Sequence, residues 1–416
     1  MQRVLGGEGR MERLYLHIGL MKTGTTYLQR VWRANADALE DQGIWTPSRR
    51  NEPNTRLAAW DLVGRRPRGA SNARIAGQWG MLTTAVASRA GHRVLLSEEY
   101  LAARTRREAR RAVAGFPQHE VHVVVTARDL GRVLASAWQE DVKSGSTCTW
   151  SAFVAAVRDP ARGAQDPARG FWLRHDLPRV LDVWAAAAGR DRVHVVTVPP
   201  AGCPPEALLE RTASLIGFEA SLLIRPPGYD NESLGAPTTE VIRRLNTELA
   251  GRLNQRQYDV VVKRNLVTGL PPATSIAHLV LPAEHLTWAR HEAKRIVSDV
   301  REAKFDVVGN LDDLVPKSAQ GGRRPDEATD AELLEASLQA LSALTVRAAQ
   351  AWWFKRRPDK PRADGASQLA RASSLTRGAG YRLRRKGAEF ANRNKVATAA
   401  MSIYLRLRHR TSPKSR

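Results

Sequence analysis

Lys22, Thr23, Gly24, Thr25 and Thr26 follow directly on an apolar run, Leu14-Tyr15-Leu16-His17-Ile18, and Gly19. Residues of these types in this order can hold an anion. Glycine lets backbone N–H groups come close, an ammonium adds charge, and hydroxyls donate at a helix start. Gly19 and Gly24 keep the G-x-x-x-x-G spacing of a phosphate-binding loop, but no Lys-Ser/Thr pair follows the second glycine. Thr25 and Thr26 stand there, and the lysine lies inside the loop as Lys22. Nucleoside-triphosphate enzymes place their lysine on the β/γ-phosphates and a hydroxyl on Mg²⁺. A lysine placed earlier suits a shorter anion, such as a 5′-phosphosulfate. Glycine spacing alone is common in α/β proteins; Lys-Thr-Gly-Thr-Thr between an apolar strand and a helix is much less so.

The segment from His17 to Gln29, HIGLMKTGTTYLQ, resembles the phosphosulfate-binding loop of bacterial sulfotransferases. These P-loop-type enzymes take a sulfuryl group from 3′-phosphoadenosine 5′-phosphosulfate (PAPS). The resemblance implies a nucleotide cosubstrate held by Gly19, Lys22, Thr23, Gly24, Thr25 and Thr26. It also implies a second signature, for the donor's 3′-phosphate: an arginine at the end of a later strand, with a serine about two helical turns on. Arg128 closes the β-rich run 121–127, and Ser136 follows eight positions later in a helical stretch. A planar guanidinium at the carboxyl edge of a parallel sheet suits bidentate phosphate binding. Taken alone, Arg128 would read as paired with Asp129 or another surface carboxylate, and Ser136 as a helix-surface residue. Leu130 departs from the proline that often follows Arg-Asp in the family.

Sulfuryl transfer needs charge stabilisation on the leaving phosphate and a group to take the acceptor proton. Lys22 suits the first task. For the second, Glu98 leads, because Ser97-Glu98-Glu99-Tyr100 follows a second apolar strand and should share the sheet edge with both anion sites. Glu99 is its neighbour and competitor, with one of the two turned to the cleft and the other to solvent or Arg104. The family uses a glutamate or a histidine here, so His17 is a further candidate, though a core histidine reads equally well; Asp61 and His175 are weaker ones. No metal-ligand cluster is evident, and the reading requires no metal.

Alternating strands and helices then point to an α/β fold, a P-loop-type three-layer core with a central parallel sheet flanked by helices. Strands are predicted at about 14–18, 93–97, 121–127 and 192–198, with helices at about 25–39, 106–114, 150–157, 177–188, 238–253 and 282–304 and a helix after the third strand that runs to about 143. Residues 45–80 and 160–170 read as loops, and the acceptor pocket is expected in the segments 45–80 and 160–174. Residues 1–12 read as a loose leader, 13–315 as the α/β domain, 316–330 as a linker, 331–354 as an amphipathic helix and 355–416 as a basic, partly disordered tail. Asn231 and Ser233 read as helix-capping residues or part of a loop over the nucleotide.

The chain has 416 residues, 43% of them hydrophobic, enough for one large core with additions. Cys148 and Cys203 make neither a disulfide framework nor a zinc pattern. No long apolar run suggests a membrane span, and the expected setting is cytoplasmic. From residue 355 on, 18 Lys and Arg stand against Asp359, Asp364 and Glu389, so the tail carries +15 of the chain's +23. The remaining +8 suits an enzyme with an anionic donor. The tail could lie on an anionic membrane surface, whereas nucleic acid is not the expected partner. Two rival readings are a P-loop nucleotide kinase or hydrolase, and a non-enzymatic binder of anionic surfaces acting through the tail. The acceptor, a hydroxyl or amine on a glycan, lipid or small metabolite, is not legible.

Overall fold

Leu14, Leu16 and Ile18 enter one hydrophobic core and Tyr15 another, so the first strand is apolar on both faces. The same holds for Val94 and Leu96 against Leu95, and for Val123 and Val125 against Val124. Strands of that kind belong to a parallel sheet covered on both sides. The computed structural model, which describes residues 11–49, 51–65, 72–89, 91–159, 167–226, 234–270, 279, 281–317 and 324–355, has this arrangement. Six strands, β1 (Glu12–His17), β2 (Ile44–Trp45), β3 (Arg93–Ser97), β4 (His119–Ala127), β5 (Val193–Thr197) and β6 (Asp306–Val308), form one sheet in the order β2-β3-β1-β4-β5-β6. Every neighbouring pair is parallel. The fold is α/β, with helices on both faces.

Helices α1 (Thr25–Ala34) and α2 (Ala36–Glu40) cover one face, where Leu28, Val31, Trp32 and Leu39 are buried. The sequence predicts one helix there, but Asn35 breaks it. Its amide donates to the carbonyls of Val31 (2.8 Å) and Ile224 (2.7 Å), and its carbonyl accepts from Ile224 N. Residues 45–80, expected as loop, contain α3 (Thr55–Leu62), α4 (Asn72–Ile75) and the start of α5 (Gln78–Ala87). Asn54 caps α3 by accepting from Leu57 N, and Ala58, Ala59 and Leu62 pack into the opposite core. Then come α6 (Arg106–Ala114), α7 (Leu130–Lys143), α8 (Trp150–Arg158), α9 (Pro167–His175), α10 (Leu177–Ala188), α11 (Glu206–Ile216) and α12 (Ala236–Leu249). Helix α9 replaces part of the loop expected at 160–170. Helix α13 (Gln255–Tyr258) continues as a π-helical run, Asp259–Leu266, ahead of α14 (Ala283–Glu302) and α15 (Asp330–Lys355).

The chain divides into two compact units, Met1–Leu341 and Ser342–Arg416, and in the second the described residues 342–355 are helical. The leader up to residue 10, Asn231, Ser233 and the tail from residue 356 lie outside the described residues. Among those described, no helix is long and apolar enough to cross a membrane.

Candidate active site

β1 is the central strand, flanked by β3 and β4, so whatever follows His17 emerges between two other strand ends. The loop is stitched to both. Glu98 N donates to His17 O (2.9 Å), Leu20 N to Thr126 O (2.7 Å) and Thr126 N to Gly19 O (2.5 Å). Inside, Thr23 Oγ1 donates to Leu20 O (2.6 Å) and meets Thr126 Oγ1 at 2.7 Å, while Thr25 Oγ1 donates to Leu20 O (3.0 Å). Thr23 and Thr25 are buried, and their hydroxyls shape the loop from within; Thr26 is exposed at the first turn of α1.

Both glycines have positive φ, +95° at Gly19 and +85° at Gly24. A Cβ on Gly24 would stand 2.5 Å from Leu208 Cδ2, and one on Gly19 3.3 Å from Glu99 Cβ. The glycine spacing therefore answers to helix α11 and to the β3 edge as well as to any ligand. Gly24 caps α1 without a side-chain acceptor, which leaves the helix's first N–H groups facing outward.

Lys22, itself at φ +63°, projects its ammonium to Glu140 Oε2 (3.5 Å), and its carbonyl accepts from Arg128 Nη1 at 3.2 Å. The two anion-binding candidates thus touch. Asp129 makes no ion pair with Arg128, although it lies in its electrostatic range. It caps α7 through Arg132 N and pairs with the Arg132 side chain. No carboxylate among the described residues pairs with Arg128, and its buried Nε has no hydrogen-bond partner. Burial, assisted by Arg132 and opposed by Asp129, draws the guanidinium down to about 10. A half-buried guanidinium with an unpartnered inner nitrogen is costly unless an anion completes it. Ser136, half-buried, lies two turns into α7.

The glutamates at the end of β3 part company. Glu98 is buried; its Oε1 accepts from Tyr100 N (3.2 Å) and its Oε2 lies 3.6 Å from Arg56 Nε. Glu99 lies against Gly19 and in the electrostatic range of Lys22 and Glu140. Burial raises both carboxyls above the ordinary value, with Arg56 opposing in each case. Arg104 pairs with Glu108 rather than with either glutamate.

His17 meets Ser97 Oγ (2.8 Å) and Thr126 Oγ1 (3.1 Å), and burial lowers it to about 3. It is a neutral core histidine with both nitrogens engaged. His175, at the end of α9, is buried against Phe171 and also lowered to about 3. Asp61 accepts from Trp79 N and ties α3 to α5.

Four charged residues that sequence reasoning missed complete the site: Arg56, Glu140, Lys143 and Lys263. Glu140 Oε1 accepts from Lys263 Nζ at 3.0 Å. Glu140 and Lys143 fall four and seven residues after Ser136, on one face of α7, a spacing that was legible. Nothing local marks Lys263 or Arg56.

No family model matches the chain, and no curated protein does. Among solved structures, the crystal structure of a sulfotransferase from Alicyclobacillus acidocaldarius is similar at 14% identity, covering 61% of this chain and 97% of its own, with a TM-score of 0.35.

Proposed function

We propose that this chain is a PAPS-dependent sulfotransferase acting on a hydroxyl or amine acceptor without a metal. The observation that carries the reading is Arg128, a half-buried guanidinium whose buried Nε has no hydrogen-bond partner and which forms no ion pair with a carboxylate among the described residues, hydrogen-bonded to the carbonyl of Lys22. A donor with a 3′-phosphate and a 5′-phosphosulfate offers one anion for each cation. Arg128, with Ser136 beyond it, takes the 3′-phosphate; Lys22, the loop N–H groups and Thr26 take the phosphosulfate.

In the reaction the acceptor oxygen or nitrogen bonds to sulfur as the bond from sulfur to the bridging phosphate oxygen breaks. The bond pair leaves with adenosine 3′,5′-bisphosphate, and Lys22 stabilises the negative charge that develops there. The acceptor proton passes to a carboxylate of the Glu98–Glu99 pair. Glu98 already serves Tyr100 N and Arg56, while Glu99 sits in the field of Lys22, so Glu99 takes the proton and Glu98 positions the turn. A carboxyl raised by burial is the stronger base.

Calorimetric titration of adenosine 3′,5′-bisphosphate, and separately of ATP-Mg²⁺, tests this. Bisphosphate binding without metal, weakened in Lys22→Ala and Arg128→Ala, is the expected result. Binding of ATP-Mg²⁺ alone would overturn the reading in favour of a nucleotide kinase.

A further inference from the structure

Two ammonium groups hold one carboxylate beside the donor loop, and a third stands on the same helix one turn on. Lys22 and Lys263 each hold one oxygen of Glu140, at 3.5 and 3.0 Å. Lys143, one turn further along α7, donates to Gln139 Oε1 at 3.2 Å and lies in the electrostatic range of Lys22, Glu140 and Lys263. Burial first, and Lys22 second, draw the Lys143 ammonium down to about 8. Glu140 is the reverse case: Lys22 and Lys263 hold its carboxyl below the ordinary value although burial pushes it up. Asp141, next in the chain, is engaged by Arg174.

The charges do not balance. One firmly ionised carboxylate, with the raised Glu99 nearby, faces three lysines in a half-buried setting, and excess charge there calls for a counter-ion. The donor's phosphosulfate accounts for Lys22, which reaches Glu140 from the loop. Lys263 reaches Glu140 from the π-helical run, Lys143 lies on α7 in the electrostatic range of both, and the donor leaves the two lysines without a role. A π-helical turn is a costly way to place a side chain and recurs at functional sites.

Building on the sulfotransferase reading, we propose that Lys143 and Lys263 form an anion subsite of the acceptor pocket, so that the acceptor carries a carboxylate, phosphate or sulfate group close to its reacting hydroxyl or amine. Glu140 spaces the two lysines from Lys22 and keeps the acceptor's anion apart from the donor's.

The test is calorimetric titration of inorganic phosphate, and of acetate as the carboxylate probe, into the full chain with and without saturating adenosine 3′,5′-bisphosphate. Wild type, Lys143→Gln and Lys263→Gln are compared. The expected result is saturable anion binding to the bisphosphate-saturated wild type, weakened about tenfold in each variant, with bisphosphate affinity unchanged. Unchanged bisphosphate affinity also reports that the variants are folded, and the preferred probe separates phosphate-like from carboxylate acceptors. Absent anion binding, or equal binding by all three proteins, would overturn the subsite. Loss of bisphosphate affinity in both variants would also overturn it, and would assign the lysines to the donor. If wild type binds no bisphosphate, the donor reading fails instead; anion binding to the free protein that both variants lose would still uphold the subsite, and its persistence would sink it.

Discussion

The two ends of the sheet handle charge in opposite ways. Toward the start of β4 and β5, the ionisable groups partner one another: Glu120 with His122 (3.1 Å), His122 with His194 (2.8 Å) and His194 with Asp306 (2.6 Å), with the two imidazoles stacked and Arg13 on Glu120. At the carboxyl end, Arg128 has no carboxylate among the described residues, and Glu140 is shared between lysines. The first set is satisfied within the fold. The second leaves positive charge without a matching carboxylate among the described residues, as the proposed donor site requires.

The sharpest way to break that contrast is at the proposed base. Glu99→Gln should lower kcat by roughly 10²- to 10⁴-fold while leaving bisphosphate affinity intact, with Glu98→Gln affecting stability more than rate. The acid limb of the wild-type pH–rate profile should lie above 4.5, because burial raises the Glu99 carboxyl and the rate falls as it protonates. Equal kcat losses in the two variants would erase the distinction between them. Lys22→Ala should cost roughly 10²- to 10³-fold in kcat, measured at saturating donor. Arg128→Ala should weaken bisphosphate binding by roughly 10- to 100-fold, and Arg128→Lys should recover little of it, since an ammonium lacks the planar fork.

In the first set, His194→Phe should cost about 1–3 kcal/mol of stability in denaturant titration and leave bisphosphate binding untouched; weakened binding would show that the two ends are coupled. The smallest effect is graded with pH. His17 and His175 fall to about 3 in the folded chain against an ordinary 6.5, so the unfolded chain binds more protons between those values. Their contribution to stability is therefore lost progressively as pH drops from 6.5 toward 3. Thermal melts across that range should decline; a flat profile would contradict neutral buried imidazoles.

Much of the fold was legible because parallel strands buried on both faces carry apolar runs, as in Val123-Val124-Val125. β2 and β6 escaped notice because two or three residues, Ile44-Trp45 and Asp306–Val308, carry no periodicity of their own. Helices α3 and α5 hid among the glycines, prolines and arginines around them, and Asn35 split α1 from α2 through a bond to Ile224, a partner too distant in sequence to foresee. Within the site, loop and arginine were visible as ordered motifs. What Thr23 and Thr25 bond to, which glutamate faces the cleft and where Lys263 lands depend on tertiary placement, and side-chain identity does not encode it.

The run of bonds from Ser97 through His17 and Thr126 to Thr23 ties three strand ends and the loop into one piece. A loop held that way has little conformational freedom left to surrender when an anion arrives. Its binding should therefore be thermodynamically quiet: fast association, a modest entropic penalty, and a heat-capacity change no larger than the adenine and ribose surfaces account for.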